Sequence, residues 1–252
     1  MIEKKVVVKN LEVNYKLFGE GKPFLILHGW GSSSDKWQRV GELLGGNDLT
    51  AIIPDLPGFG KSQEPSYAWS LDDYVDFLDE FSKKVSELNK DFYLLGHSFG
   101  GALAAKFSIK YNQKVRKLFL VSAACIRKVT LKKKILSGLS ELFKFLSILP
   151  FYNEAKRAFY RFVVGGEDYL NVEKTMKETF VKVVSEDLSN HLSFVKIPTV
   201  IIWGNKDKIT PLAQAKIINS KIHNSKLIIE DAKHAMHIEK PELLSQNLLS
   251  NI

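Results

Sequence analysis

The sequence GHSFGG at residues 96–101 lies between the apolar run FYLL (92–95) and the helix-like segment ALAAKFSIKY (102–111). Glycine suits tight turns and close backbone contacts better than the interior of a helix or strand. Three glycines around Ser98 therefore predict a sharp turn between a strand and a helix, with other parts of the chain packed against it. Residues 96–100 (GHSFG) fit the G-x-S-x-G pattern, in which a serine stands exposed on a strained strand-to-helix turn. Ser98 is therefore the first candidate for a nucleophile.

Strand-like and helix-like segments alternate on both sides of this turn. The strand-like runs are LEVNYKLFG (11–19), FLILHG (24–29), LTAIIPD (49–55), DFYLLGH (91–97), KLFLVSA (117–123), TVIIWG (199–204) and KLIIE (226–230). One helical pattern begins after Ser70, an N-cap with Asp73 three positions on. Another has Thr210 as N-cap and Pro211 as its first helical residue, and the last begins at about Pro241. This alternation predicts an α/β fold with a mostly parallel sheet covered by helices on both faces.

The stretch 126–195 departs from this alternation. It has no strand-like run followed by a tight turn, and its aromatic residues recur at helical spacing. It leaves the sheet after one strand and returns before the next, so we expect it to cover the carboxyl ends of the strands, where open α/β sheets bind ligands. The sequence thus predicts a core of residues 1–125 and 196–252 with a helical lid at 126–195.

The chain is basic, with a formal net charge of +8 and a pI near 9.3. Its lysines and arginines are spread along the whole length among acidic residues, and only RKVTLKKK (127–134) is dense. No zinc-finger or RNP signature accompanies the charge, so we expect no nucleic-acid binding. The dense run is interpreted as a solvated surface, and the alternative is a patch that steers an acidic partner such as an acyl-carrier protein.

Cysteine usage and hydropathy indicate the compartment. A single cysteine, Cys125, cannot form an internal disulfide or a cysteine-based metal cluster. The N-terminal segment interrupts its apolar runs with charges and resembles no signal peptide. No uninterrupted apolar stretch is long enough to span a bilayer. We therefore expect a cytoplasmic protein without membrane association.

A serine hydroxyl is a weak nucleophile that needs a base, which is itself oriented by a third group. The best candidates among six histidines are His234 and His237, which follow the last predicted strand. His234 is favoured because it lies nearer the strand end, and His237 remains the alternative. Asp207, after the preceding strand, is the candidate orienting acid, and its alternative role is that of a turn former. The order Ser98, Asp207, His234 is the order expected for this type of fold.

Acyl transfer also requires hydrogen-bond donors for the developing oxyanion. One candidate is the backbone N–H of Phe99, at the start of the helix that follows Ser98. The other is the backbone N–H of Trp30, in the HGWG loop at residues 28–31. His28 is interpreted as a residue that shapes this loop.

The sequence resembles the α/β-hydrolase superfamily over nearly its whole length. The matching motifs, in family order, are HGWGSSSDKW (28–37), DLPGFGKS (55–62), GHSFGG (96–101), WGNKDKITP (203–211) and HAMHIEKPE (234–242). The resemblance implies Ser98 as nucleophile, His234 as base and Asp207 as orienting acid. HGWG and DLPGFG also resemble the pimeloyl-carrier methyl ester esterases, which commonly carry tryptophan where this chain has His97.

Five functions follow as hypotheses. The first is a serine carboxylesterase acting on short to medium acyl chains, without metal or cofactor. Two alternatives keep the triad: a carbon–carbon hydrolase of the meta-cleavage-product type and a methyl ester esterase acting on a carrier-bound substrate. The carbon–carbon hydrolase ranks lower because the glycines that such enzymes tend to carry after HG are missing. The others are a ligand-binding protein without turnover and, resting only on RKVTLKKK and the aromatic residues of the predicted lid, a role at a nucleic acid or membrane surface.

Overall fold

The computed structural model describes residues 1–127 and 174–252. The strands are β1 (Ile2–Val8), β2 (Leu11–Phe18), β3 (Lys22–Leu27), β4 (Leu49–Pro54), β5 (Phe92–His97), β6 (Val115–Val121), β7 (Thr199–Gly204) and β8 (Ser225–Glu230). The α-helices are α1 (Gln38–Gly45), α2 (Leu71–Lys84), α3 (Phe99–Lys110), α4 (Lys174–Ser185), α5 (Leu212–Lys221), α6 (Met236–Glu239) and α7 (Pro241–Leu249). Short 3₁₀ helices span Ser34–Trp37, Ser86–Leu88, Asn112–Lys114 and Leu192–Phe194.

The eight strands form one sheet in the order β1-β2-β4-β3-β5-β6-β7-β8. Strand β2 pairs antiparallel with both of its neighbours, β1 and β4. All the other neighbouring strands in this order, from β4 through β3 to β8, pair parallel. The predicted, mostly parallel sheet is therefore confirmed. Parallel pairing brings the carboxyl ends of β3, β5, β6, β7 and β8 to one edge, where the segments that follow them meet.

The two faces of the sheet bury separate apolar clusters. In β3, Leu25 and Leu27 pack into one cluster, and Phe24 and Ile26 pack into the other. This alternation follows from the two-residue period of side chains along a strand. Helices α2, α3 and α5 contribute to the first cluster, and α1 and α7 contribute to the second. A layer of helices on each face is the arrangement that a doubly buried parallel sheet needs.

The sequence predicted the start of α2 correctly, but it missed strand β1 and placed the start of α5 one residue too early. Ser70 accepts a hydrogen bond from the Asp73 backbone N–H while the Asp73 carboxylate bonds the Ser70 N–H, which confirms the capping box. Strand β1 was missed, because its charged, largely exposed residues show no buried apolar pattern. Helix α5 begins at Leu212 with Pro211 as N-cap, one residue later than predicted, since the Thr210 hydroxyl is bonded elsewhere.

The predicted lid at 126–195 falls largely outside the described residues, as does the basic run 127–134 beyond Arg127. The described part of this stretch includes α4, whose residues Met176, Thr179 and Val183 are buried. Among the helices in residues 1–127 and 174–252, none has the length and apolar character needed to cross a bilayer.

Candidate active site

Ser98 lies in a strained turn between β5 and α3. Its backbone has φ 52° and ψ −115°, a conformation that non-glycine residues rarely adopt and that costs about 1–3 kcal/mol. The surrounding chain holds it there: the Ser98 N–H donates to the Val121 carbonyl at 3.1 Å, and its carbonyl accepts from the Ala124 N–H at 2.8 Å. The turn presents Ser98 at the carboxyl edge of the sheet, as predicted from the GHSFGG motif.

Two glycines allow the backbone to pack this closely. A Cβ atom at Gly96 would lie 2.1 Å from the carbonyl oxygen of Gly100, and one at Gly100 would lie 2.3 Å from the carbonyl oxygen of Leu27. Both distances are far inside van der Waals contact. The glycines therefore let strand β5, helix α3 and the end of β3 approach one another around Ser98.

The predicted acid and base are in direct contact. Nδ1 of His234 lies 2.8 Å from Oδ2 of Asp207, and the Asp207 side chain is completely buried. Asp207 follows β7 and His234 follows β8, so two neighbouring parallel strands deliver the pair. Because a carboxylate accepts, Nδ1 carries the hydrogen and Nε2 of His234 is left as an acceptor when the ring is neutral.

Thr210 completes the surroundings of the Asp207 carboxylate. Its hydroxyl lies 2.8 Å from Oδ2, and the backbone N–H groups of Ile209 and Thr210 each donate to Oδ1 at 2.9 Å. Burial raises the pKa of Asp207, but hydrogen bonding and charge from His234 and the bonds from Thr210 outweigh it, so the pKa is lowered. The ionised carboxylate is thus the stable form beside His234. Asp207 also closes its own turn through these two backbone bonds, and this geometry is compatible with both predicted roles.

His237, the alternative base, occupies a different environment. It is buried and stacks on Trp37, with ring centroids 4.3 Å apart and planes inclined by 6°. Burial, and then the nearby His234 and His28, lower the pKa of His237 to about 3. Asp207 contacts His234 rather than His237, and this contact favours His234 as the base.

His97 was given no role by the sequence, although it lies between the two candidate bases. Its ring centroid is 4.8 Å from that of His234 and 4.5 Å from that of His237. Its Nε2 lies 3.0 Å from the backbone carbonyl oxygen of His234. A histidine immediately before the candidate nucleophile was the only signal in the sequence, and it does not indicate this contact.

Trp30 and Phe99, whose backbone N–H groups are the predicted oxyanion donors, line the same cavity as Ser98. Among the described residues, the backbone N–H groups of Trp30 and Phe99 have no backbone acceptor, and Phe99 is the first residue of α3, where such donors are free. The two side chains pack edge to face, 5.5 Å apart, and Trp30 also contacts Phe59 and Phe180. This aromatic contact fixes the HGWG loop next to the turn at Ser98.

His28 shapes this loop, as predicted. Its Nδ1 lies 2.8 Å from the Gly29 carbonyl oxygen, and its Nε2 accepts a hydrogen bond from the Leu56 N–H at 3.0 Å. Burial lowers the pKa of His28, so the ring is neutral and can accept at Nε2. Asp55 supports the neighbouring turn, since its Oδ1 accepts from the Ser34 N–H at 2.6 Å.

A cavity of about 480 Å³ opens over this edge of the sheet. Ser98 and His234 both line it, as do Trp30 and Phe99. Helix α4 adds a mostly apolar wall, and Arg127 adds a positive charge. The α4 residues are Met176, Lys177, Phe180, Val183 and Val184. Within the described ranges, no group of three or more His, Cys, Asp or Glu side chains is placed to hold a metal ion.

The fold and these motifs define an α/β-hydrolase of the esterase type. The chain belongs to the family described as serine aminopeptidase, S33 (Hydrolase_4), whose model matches residues 22–241. It is 29% identical over 258 aligned positions to a pimeloyl-[acyl-carrier protein] methyl ester esterase of Wigglesworthia glossinidia brevipalpis, with 91% of this chain and 93% of that protein covered.

Solved structures share the fold. A putative lipase from Acinetobacter baumannii AYE superposes with a TM-score of 0.78 at 22% identity, covering 99% of this chain and 90% of the other. A meta-cleavage product hydrolase from Pseudomonas fluorescens IP01 superposes with a TM-score of 0.72 at 21% identity, covering 98% and 96%. These likenesses show the fold, and the family match over residues 22–241 makes the chain a hydrolase of the α/β superfamily.

Proposed function

We propose that this protein is a serine carboxylesterase in which Ser98 is the nucleophile, His234 the general base and Asp207 the orienting acid. The observation that carries the proposal is the 2.8 Å contact between His234 and a fully buried Asp207, next to a cavity that Ser98 and His234 both line. An acid, a histidine and a serine in this arrangement can perform acyl transfer.

The chemistry follows from these positions. Nε2 of His234 takes the proton of the Ser98 hydroxyl as the oxygen attacks the ester carbonyl, and Asp207 stabilises the resulting imidazolium. The N–H groups of Trp30 and Phe99 donate to the oxyanion. The imidazolium then protonates the leaving alcohol, and an acyl-enzyme remains. A water molecule, deprotonated by the same histidine, attacks the acyl carbon and releases the acid and the free serine.

The acyl chain is proposed to be short to medium in length. The cavity of about 480 Å³ lies in the lower half of the range, about 300–1,000 Å³, that small-molecule sites span. Residues Met176, Phe180 and Val183 give it apolar walls suited to an alkyl chain. Among 4-nitrophenyl esters, we expect kcat/KM to be higher for four- to eight-carbon acids than for palmitate at equal solubility. Faster palmitate hydrolysis would exclude this size class.

Single substitutions test the assignment with 4-nitrophenyl butyrate as substrate. Ser98→Ala and His234→Ala should each lower kcat about 10⁴-fold or more, because the two side chains act as one unit. Asp207→Asn should be at most equally damaging. His223→Ala, which changes an exposed histidine, is the control and should retain wild-type kcat. Near-normal turnover by Ser98→Ala would exclude Ser98 as nucleophile, and near-normal turnover by Asp207→Asn would leave Asp207 as a turn former.

A carrier-bound methyl ester is the second candidate substrate, because the relative from Wigglesworthia is named for that activity. The basic run at 127–134 would supply the attraction for an acidic carrier. Replacing Lys132, Lys133 and Lys134 by glutamine should then lower kcat/KM several-fold for an acyl-carrier ester at low salt, while 4-nitrophenyl butyrate reacts as before. Equal behaviour of the two substrates would show that these lysines do not steer a carrier.

A meta-cleavage product belongs in the same assay, because a solved structure that shares this fold is that of a meta-cleavage product hydrolase. Faster turnover of that product than of any ester would overturn the ester assignment while retaining Ser98 as nucleophile. Saturable binding of esters without any turnover would instead favour a ligand-binding protein.

A further inference from the structure

Arg127 places a cation in the cavity that contains Ser98 and His234. It follows β6 after a short buried segment and lines the same cavity as the two candidate catalytic residues. A guanidinium carries five N–H donors, but few of those in Arg127 are used. One terminal nitrogen, Nη2, lies 3.5 Å from the Val183 carbonyl oxygen, at the outer limit of a hydrogen bond. Nε is buried and has no hydrogen-bond partner in the part of the chain that the structure describes.

No carboxylate among the described residues forms an ion pair with this guanidinium. The acidic groups that act on it, Cys125, Asp187 and Glu186, do so only through longer-range charge. Glu186 is paired with Lys106, and Asp187 accepts a hydrogen bond from the Ser189 N–H. Burial lowers the pKa of Arg127, yet a guanidinium stays protonated in proteins. Within residues 1–127 and 174–252, this partly desolvated positive charge thus has no carboxylate partner.

A charge in this position is costly unless something pairs with it. The side chains around it in the cavity are largely apolar, with Met176, Phe180 and Val183 on α4. Removing a charge from water without a partner is strongly unfavourable. Of the described residues that line the cavity, Lys177 is the other cation, and it is engaged in an interaction of its own. A ligand that brings a negative charge would relieve the cost at Arg127.

We propose that Arg127 determines specificity by binding a free carboxylate on the substrate, so that the preferred substrates are esters that carry a second, ionised carboxyl group. This proposal rests on the proposed esterase function. A planar guanidinium matches a carboxylate through two parallel hydrogen bonds. A single cation without a carboxylate partner in the described part of the chain also compensates one negative charge, which favours a carboxylate over a phosphate monoester with its charge of about −2.

Two pairs of substrates test the proposal and locate the charge. On the acyl side, 4-nitrophenyl hemiesters of six- to nine-carbon dicarboxylic acids are compared with 4-nitrophenyl esters of straight-chain monoacids of the same length. On the alcohol side, the butyrate ester of 4-hydroxybenzoate is compared with that of 4-hydroxybenzamide. We expect wild-type protein to prefer the carboxylate in one of these pairs by about 10-fold or more in kcat/KM, the usual effect of a charged hydrogen bond.

Variants assign that preference to Arg127. Arg127→Gln removes the charge and should lower the ratio of charged to neutral kcat/KM about 10-fold, whereas Arg127→Lys should keep part of it. Arg116→Gln removes a charge from an exposed arginine paired with Asp91 and should leave the ratio unchanged. An unchanged ratio in Arg127→Gln, with a wild-type melting temperature, would overturn the proposal. A wild-type protein without preference in either pair would overturn it equally.

A binding measurement separates this proposal from the esterase function. In calorimetry, the Ser98→Ala protein should bind a hemiester more tightly than its neutral analogue, and adding Arg127→Gln should remove that difference. If wild-type protein hydrolyses no ester, the esterase function fails, yet a charge preference in binding would still support Arg127 as the carboxylate site. Equal binding of both ligands to the Ser98→Ala protein would contradict the proposal.

Discussion

Nε2 of His97 lies 3.0 Å from the backbone carbonyl oxygen of His234. Because a carbonyl only accepts, Nε2 must carry the hydrogen. Burial, and then the nearby His237 and His234, hold the pKa of His97 well below its usual value. The ring is therefore neutral, and its Nδ1, which has no hydrogen-bond partner among the described residues, carries no proton. His97 thus ties the residue before Ser98 to the backbone of the candidate base.

We expect His97 to be a positioning residue for His234. His97→Phe keeps a ring but removes the donor, and kcat for 4-nitrophenyl butyrate should fall about 10-fold while KM changes little. His97→Gln offers an N–H donor and should recover part of the loss. Unfolding curves of the variants serve as the control for stability. Equal kcat for His97→Phe and wild type would exclude a positioning role.

We expect His237 to make the free energy of unfolding depend on pH. Its pKa is lowered to about 3 in the folded protein, chiefly by burial, against about 6.5 in an unfolded chain. Between these values the unfolded state binds the proton, so stability is complete above about pH 6.5 and is lost as the pH falls towards 3. From about pH 7 to about pH 5, His237 should remove about 2 kcal/mol from the free energy of unfolding.

His237→Phe tests this dependence, because phenylalanine can keep the stack on Trp37 without taking up a proton. Denaturant unfolding at several pH values should show a weaker loss of stability on acidification than in the wild type. His97, whose pKa is also lowered, should account for part of the remainder. Identical pH slopes for His237→Phe and wild type would contradict a buried, neutral His237.

The Thr210 hydroxyl should matter for activity because it contacts Asp207 and lies 3.2 Å from Nδ1 of His234. It lies 2.8 Å from Oδ2 of Asp207 and 3.1 Å from the Ser122 carbonyl oxygen, so its single proton serves one acceptor at a time. Thr210→Val removes the hydroxyl at nearly constant volume and should lower kcat about 10-fold, because the carboxylate loses a donor and a constraint on its position. Thr210→Ser should retain most of the activity. A Thr210→Val protein with wild-type kcat would exclude this role.

The sequence predicts the fold and the three candidate catalytic residues because each carries a local signal. Ser98 stands among glycines, whereas Asp207 and His234 each follow an apolar run of strand length. In a parallel sheet, residues that follow strands meet at one edge, so local signals are enough to bring them together. The contact between Asp207 and His234 follows from this rule.

Other features depend on packing that leaves no local pattern. Thr210 before Pro211 resembles a helix N-cap, but its hydroxyl forms a hydrogen bond with the buried carboxylate of Asp207 instead. In the sequence, Arg127 is only the first cation of a basic run. Its partial burial depends on a contact with helix α4, which is distant along the chain. The contact of His97 with His234 joins residues 137 positions apart. Such contacts require the folded chain and cannot be read from short motifs.

Gly96 should be intolerant of any side chain. A Cβ atom there would lie 2.1 Å from the Gly100 carbonyl oxygen and 2.6 Å from the Gly101 Cα. Both are backbone atoms, so strand β5 and helix α3 would have to separate. Because the φ angle of Gly96 is not positive, the cost is steric. Gly96→Ala should lower the free energy of unfolding by about 3 kcal/mol or more, at the upper end for overpacking.

Gly46→Ala is the matched control for this prediction. Gly46 lies at the end of α1 with φ −77°, and a Cβ atom there would have its nearest neighbour at 3.8 Å. Because alanine fits this conformation, the substitution should leave stability within about 1 kcal/mol of the wild type, on the side of higher stability. Denaturant unfolding of the two variants measures the difference directly. If Gly96→Ala proved as stable as Gly46→Ala, the close approach of β5 and α3 would not be needed to hold Ser98 in its strained turn.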